Sequence, residues 1–183
     1  MVRLYTEFAA RTGIRLTYFV NGTYGSWSDN AKLLRPLVEA GQIQLGNHTW
    51  SHPDLTSVPL SRVVHEITCN DASLKKAYGV DARPYLRPPY GKHNADVRAA
   101  AADLGYTATT LWSGSLSDST VVTEDYIVKM ADQYFTARNI VIGHLNHLPV
   151  THVFDRLAEI IHHRGLRTVT LTDVFESPDR QRS

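Results

Sequence analysis

Two apolar patterns alternate along the chain: positions spaced three and four residues apart, as on one face of a helix, and short continuous runs, as in buried strands. Breaks rich in Gly, Asn and Pro separate them. Residues 3–12 predict a helix that ends near Gly13, and residues 16–20 (LTYFV) a buried strand closed by Asn21-Gly22. Residues 29–40 predict a second helix with Leu33, Leu34, Leu37 and Val38 on one face, Pro36 disturbing it and Gly41 as its stop. Strand 42–45 follows, then a long helix over 59–78 carrying Val63, Val64, Ile67 and Leu74, with Gly79 after it. A short strand at 85–86 leads into RPPYG, and helix 94–104 opens on Asn94, a residue able to cap it. Strand 106–112, helix 123–137, strand 139–142, helix 153–163 and strand 168–171 complete the series.

Six strands and about six helices, mostly one after another, imply an α/β fold with a parallel sheet closed or nearly closed into a barrel. With 183 residues, 43% of them hydrophobic and 20% charged, the chain suits one ordinary globular domain. That domain is expected over residues 1–176, with a polar tail at 177–183 (PDRQRS after Ser177). Nineteen Lys and Arg against 18 Asp and Glu leave no basic footprint, so no nucleic-acid partner is expected. No apolar run is long enough to predict a membrane span, and the N-terminus lacks the apolar segment of a signal peptide. Location is open on the sequence, with an extracytoplasmic or envelope site expected if an export signal lies upstream. Cys69 is the only cysteine, which leaves a metal to His, Asp and Glu.

In parallel α/β folds, loops at the carboxyl ends of strands carry the chemistry. Those loops hold His48-Thr49-Trp50-Ser51-His52, then Arg87-Pro88-Pro89-Tyr90-Gly91, then Ser113 to Asp118, then His144. Two imidazoles four residues apart suit one divalent cation with an open coordination position, or two ordinary hydrogen-bonded histidines. Arg87 suits an anion or a surface turn. His144 follows an apolar strand, where an imidazole serves better as a general acid than as core. His147, His152, His162 and His163 read as solvated, and His65 and Glu66 as surface or boundary residues of their helix. Trp27, Trp50, Tyr90 and Trp112 fit sugar-stacking walls and core packing equally well.

Taken together, TYFVNG, HTWSHPDL, RPPYG, LWSGSLSD, VIGH and LRTVTLTDVF resemble, in order and over nearly the whole chain, the polysaccharide deacetylases, the NodB-like carbohydrate esterases of family four. The resemblance implies an incomplete, distorted parallel β/α barrel that removes acetyl groups from N-acetylated (or O-acetylated) polysaccharide such as chitin or peptidoglycan, by hydrolysis on a divalent metal, with zinc the expected ion. Carried over by motif, His48 and His52 become metal ligands and Arg87 orients a catalytic carboxylate. The Tyr90 backbone N–H, beside Pro89, becomes an oxyanion donor, and Trp112 a substrate neighbour. His144 becomes the acid that protonates the leaving amine, and Asp118 its support. The implied partner is an acetylated glycan.

The chain also departs from the family pattern. Ser115 and Ser119 stand where the family has a second Asp and a Trp. No Asp-Asp pair occurs, whereas the family opens on a strand ending in T-F-D-D that supplies the base and a third ligand. The chain begins in the helix expected after that strand, so the first strand is expected before Met1. Asp29 and Asp54 lie in other loops. A catalytically impaired carbohydrate-binding or regulatory remnant is therefore the alternative expectation.

Overall fold

The computed structural model describes residues 1–175; the polar tail expected at 177–183 lies outside the described residues. Two compact units emerge, one of Thr17–Leu111 and one of Met1–Leu16 together with the chain from Trp112 onward.

The Thr17–Leu111 unit carries β1 (Leu16–Val20, which begins one residue earlier), α2 (Ser26–Asp29), α3 (Ala31–Glu39), β2 (Ile43–Asn47), α4 (Leu60–Tyr78), β3 (Tyr85–Leu86), α5 (Ala95–Asp103) and β4 (Ala108–Thr109). Its sheet runs in the order β1-β2-β3-β4. Asn47 lies opposite Leu86 in a parallel pair, and Tyr85 and Leu86 lie opposite Ala108 and Thr109 in another. The core behind this sheet includes Leu34, Ile43, Val63, Ile67, Leu74 and Leu86, all 1% exposed or less. The helix punctuation is the one the sequence signals. Gly79 ends α4 in the left-handed region (φ 74°), where a side chain would be strained, and Asn94 accepts the Val97 N–H at 2.9 Å to cap α5.

The other unit holds α1 (Val2–Thr12), β5 (Gly114–Ser115), α6 (Glu124–Tyr134), β6 (Val141–Ile142), α7 (Pro149–His152), α8 (Phe154–His163) and α9 (Leu171–Phe175). Parallel β5 and β6 pair Gly114 with Val141 and Ser115 with Ile142. Phe8 of α1 stacks on Phe154 of α8, with ring centroids 4.4 Å apart.

Four expectations change. The helix expected over 29–40 divides at Asn30, where φ of −100° departs from helical geometry, into α2 and α3. The strand expected over 106–112 pairs only at 108–109, and a separate strand forms at 114–115. The helix expected at 153–163 is preceded by a separate turn of helix, α7. Residues 168–171 form no strand. The Thr170 N–H donates to Asp173 Oδ2 at 2.8 Å while the Asp173 N–H donates to Thr170 Oγ1 at 3.3 Å, a reciprocal cap that starts α9 instead. Local hydrogen bonding from a short polar side chain thus overrides the β preference of the Thr-Val-Thr run.

Candidate functional site

Parallel register gathers the carboxyl ends of β1 to β3. The His48 N–H donates to Val20 O (3.0 Å), the Arg87 N–H to Asn47 O (2.9 Å) and the Thr110 N–H to Leu86 O (2.8 Å). Each ladder therefore hands its last bond to the residue that begins a candidate loop. His48 and His52 lie side by side, their rings edge to face at 4.7 Å, and the Tyr90 ring meets His52 at the same centroid separation. His48 Nδ1 sits 2.6 Å from the Arg87 carbonyl oxygen. A carbonyl only accepts, so Nδ1 carries the proton and the ring's lone pair lies on Nε2, the arrangement a metal-binding imidazole needs.

The loop that carries these rings is unusual in its backbone. Thr49 (φ 70°), His52 (φ 61°) and Tyr90 (φ 58°) all occupy the left-handed region without being glycine. Each such residue costs about 1–3 kcal/mol and persists only where surrounding contacts hold it. Those contacts are on view. Asn47, fully buried, accepts the Thr49 N–H at 2.8 Å and the Asn70 amide at 2.9 Å. Asn21 donates to the carbonyls of His48 (2.5 Å) and Thr49 (3.2 Å). Glu66, also fully buried, accepts the Ser51 N–H at 2.6 Å and the Ser51 hydroxyl at 2.7 Å. Asp54, two residues beyond His52, pairs with Lys92 at 2.7 Å and so ties this loop to the one carrying Tyr90. The Lys92 ammonium holds the Asp54 carboxyl down at about 2, with Thr56 adding to the effect.

Arg87 is buried, which removes the surface alternative. Its guanidinium donates to the Thr110 (3.3 Å) and Leu111 (3.4 Å) carbonyls and stacks 4.2 Å from the Phe19 ring centroid. Burial lowers its pKa to about 10. Gly46 makes room for that arrangement: a Cβ there would lie 2.6 Å from the Phe19 ring. Pro88 and Pro89 are buried, while the Tyr90 side chain is 63% exposed.

In the other unit, the His144 backbone N–H lies 3.1 Å from both Asp118 oxygens, and His144 Nδ1 lies 2.9 Å from Oδ1. The Asp118 side chain is 2% exposed and that of His144 34% exposed. A buried carboxylate thus fixes the tautomer and direction of a half-exposed imidazole. Asp118 and His144, which the motif pairs, are in direct hydrogen-bonded contact. Trp112 is 38% exposed, as a substrate neighbour requires, whereas Trp27 is buried against Tyr18 and is excluded as a stacking wall.

Glu66 reads in the sequence as a surface or boundary residue; the structure buries it fully. Asn47, Asn70 and Asn21 went unnoticed as loop supports. A signal exists for Glu66 and Asn70: both share a helical face with Val63, Ile67 and Leu74, and a polar residue on an apolar face needs a buried partner. Among the described residues, no group of three or more His, Cys, Asp or Glu side chains could hold a metal ion. The donor set therefore fits a metal in part: two imidazoles with correct chemistry, one fewer than the usual three protein ligands of a catalytic zinc.

Comparison with known proteins decides the family. The family model for polysaccharide deacetylase matches residues 5–109. The chain belongs to that family. This polysaccharide deacetylase domain is 30% identical over 155 residues to a chitin deacetylase of Amylomyces rouxii, covering 79% of this chain and 36% of that protein. Its fold matches a family 4 carbohydrate esterase from Streptomyces lividans solved with acetate, with a TM-score of 0.80, 24% identity, and 91% and 83% of the two chains covered. It also matches a CE4 family pseudoenzyme from Bacillus anthracis, with a TM-score of 0.77, 18% identity, and 94% and 59% covered. The α/β fold of parallel strands expected for the family is thus present, and no closed barrel forms among the described residues. The chain spans between 25% and 38% of the length of the first curated relatives it matches.

Proposed function

We propose that this chain is the hydrolytic domain of a metal-dependent deacetylase acting on an N-acetylated polysaccharide of the chitin or peptidoglycan type. One observation carries the proposal: His48 and His52 side by side, with His48 Nδ1 held by the Arg87 carbonyl so that Nε2 presents its lone pair. His48 and His52 are the residues that would hold the cation, with zinc the expected ion. A divalent cation there supplies Lewis-acid polarisation of the acetyl oxygen and a water of lowered pKa.

The chain's own residues then have definite work. Asp118 keeps the His144 Nδ1–H engaged, so the proton that His144 gives to the leaving nitrogen departs from Nε2. The Tyr90 N–H, turned by its positive φ, is the donor proposed for the developing oxyanion, and buried Pro89 stiffens that turn. Arg87 supplies a buried positive charge able to orient an anionic group. Trp112 offers an exposed ring to a sugar face.

A second reading, a glycan-binding domain without the hydrolytic step, is favoured by the donor set of two imidazoles instead of three ligands. Acetate release separates the readings. The complete protein, supplied with Zn2+, is expected to free acetate from N-acetylchitooligosaccharides or from peptidoglycan, and His144→Ala is expected to lose that activity. Glycan binding with no acetate from either substrate would establish the second reading and end the first.

A further inference from the structure

We propose that Glu66 is the positioning residue of the candidate metal loop, holding residues 49–52 in the backbone form that aims His52 toward His48. The proposal rests on the reading of His48 and His52 as ligands. Glu66 sits on α4 with its side chain fully enclosed, and its two oxygens are spent on the loop. Oε2 accepts the Ser51 N–H at 2.6 Å and Oε1 accepts the Ser51 hydroxyl at 2.7 Å. The Glu66 carbonyl oxygen also takes the Trp50 N–H at 3.0 Å, so one residue of α4 anchors two consecutive amides of the loop. Arg62, one turn earlier, pairs with Oε1 at 2.7 Å and offsets the buried charge.

The clamp falls where the backbone needs it. The anchored residues 50 and 51 lie between Thr49 (φ 70°) and His52 (φ 61°), the two left-handed residues of the loop. A short loop with two such residues has relaxed alternatives. Fixing the N–H groups between them disfavours those alternatives, because each would take both Ser51 donors from an enclosed carboxylate and leave it to Arg62 alone. His52 is the residue immediately after the clamp, so its ring direction follows from it. A glutamine at position 66 would keep the volume and could still bond Ser51, but would lose the charge that pairs with Arg62 and strengthens the bond to the Ser51 N–H, which separates positioning from mere packing.

The test uses Glu66→Gln and the milder Ser51→Ala in the complete protein, with Zn2+ alone as probe. In calorimetric titration the parent protein is expected to bind Zn2+, and His48→Ala to abolish that binding. Glu66→Gln is expected to weaken Zn2+ affinity by about 10- to 100-fold, as loss of a partner behind a metal ligand does. Ser51→Ala should weaken it by a smaller factor in the same direction. In the metal-free protein, amide hydrogen exchange at positions 50 and 51 should quicken at least about tenfold in Glu66→Gln, in line with the free energy of a lost charge-assisted hydrogen bond. Unchanged Zn2+ affinity together with unchanged exchange in the variants overturns the proposal. If the parent binds no Zn2+, the metal reading fails by itself, and the positioning role stands or falls on the exchange rates. If Glu66→Gln does not fold, Ser51→Ala decides both measurements.

Discussion

Single side chains here act through the atom they leave available as much as through the one they commit. His144 and His48 each commit Nδ1, one to a carboxylate and one to a carbonyl, and each thereby leaves Nε2 available. Replacing His144 with Ala should lower the rate of acetate release by about 10²- to 10⁴-fold, the usual contribution of a general acid. Asp118→Asn should cost less, about 10- to 100-fold, because an asparagine that donates toward Nδ1 favours the wrong tautomer without removing the ring. Steady-state rates on an N-acetylchitooligosaccharide check both. Asp54 offers a test free of catalysis. Lys92 is the largest hold on its carboxyl at about 2, so Lys92→Met should let that carboxyl rise toward the ordinary 3.8 while Thr56 keeps it below, as carbon-detected NMR would show. Because the folded value is lowered, the stabilising contribution of this pair is present above about pH 3.8 and is lost as the pH falls toward 2.

At the scale of elements, the boundaries legible in the sequence were those marked by local chemistry. Gly13, Gly79, Asn94 and Thr123 each stop or start a helix as their residue types predict, since a left-handed turn or a side-chain cap needs only a few neighbours. Strand lengths were legible only in part, at 16–20 and 85–86. Residues 106–112 contain enough apolar character for one strand, but a strand exists only where a partner's backbone lies alongside, and that holds at 108–109 and again at 114–115. Thr170 went the same way, bonded to Asp173 and not to a ladder. Gly46 shows an element serving the site: β2 can pass over Phe19 only without a side chain there, and Phe19 supports Arg87. Gly46→Ala should therefore overpack the sheet by about 1–3 kcal/mol. That corresponds to a fall of several degrees in the thermal midpoint, measurable by calorimetry, along with reduced deacetylation as Arg87 shifts.

On the scale of the whole molecule, the Thr17–Leu111 unit is stabilised by buried phenols as well as by aliphatic packing. Tyr18, Tyr78 and Tyr106 are each 5% exposed or less, and burial raises all three above the ordinary phenol value, Tyr78 to about 12. Tyr78 donates to the Trp27 carbonyl, and Tyr106 donates to Asp71 while accepting from the Asn47 amide. The folded state binds these protons more tightly than the unfolded chain. Their contribution is therefore fully present below about pH 10 and declines as the pH rises through 10 toward 12. Urea midpoints should fall steeply above pH 10, and Tyr78→Phe should flatten that fall while lowering stability at pH 8. No helix among the described residues is long and apolar enough to cross a membrane.

By itself the sequence determined the α/β rhythm, the helix caps, the family pattern and the two residue groups His48-His52 and Asp118-His144, because each of these depends on neighbours within a few positions or on motifs in fixed order. Only the tertiary structure decided which polar residues lie inside. Glu66 reads as a surface or boundary residue until α4 packs behind the loop of residues 48–52; then its carboxylate accepts the Ser51 N–H and hydroxyl. The reason is physical. Periodicity tells which face of a helix is turned inward, but a buried charge is tolerated only where donors from distant parts of the chain converge on it, and that convergence is set by packing.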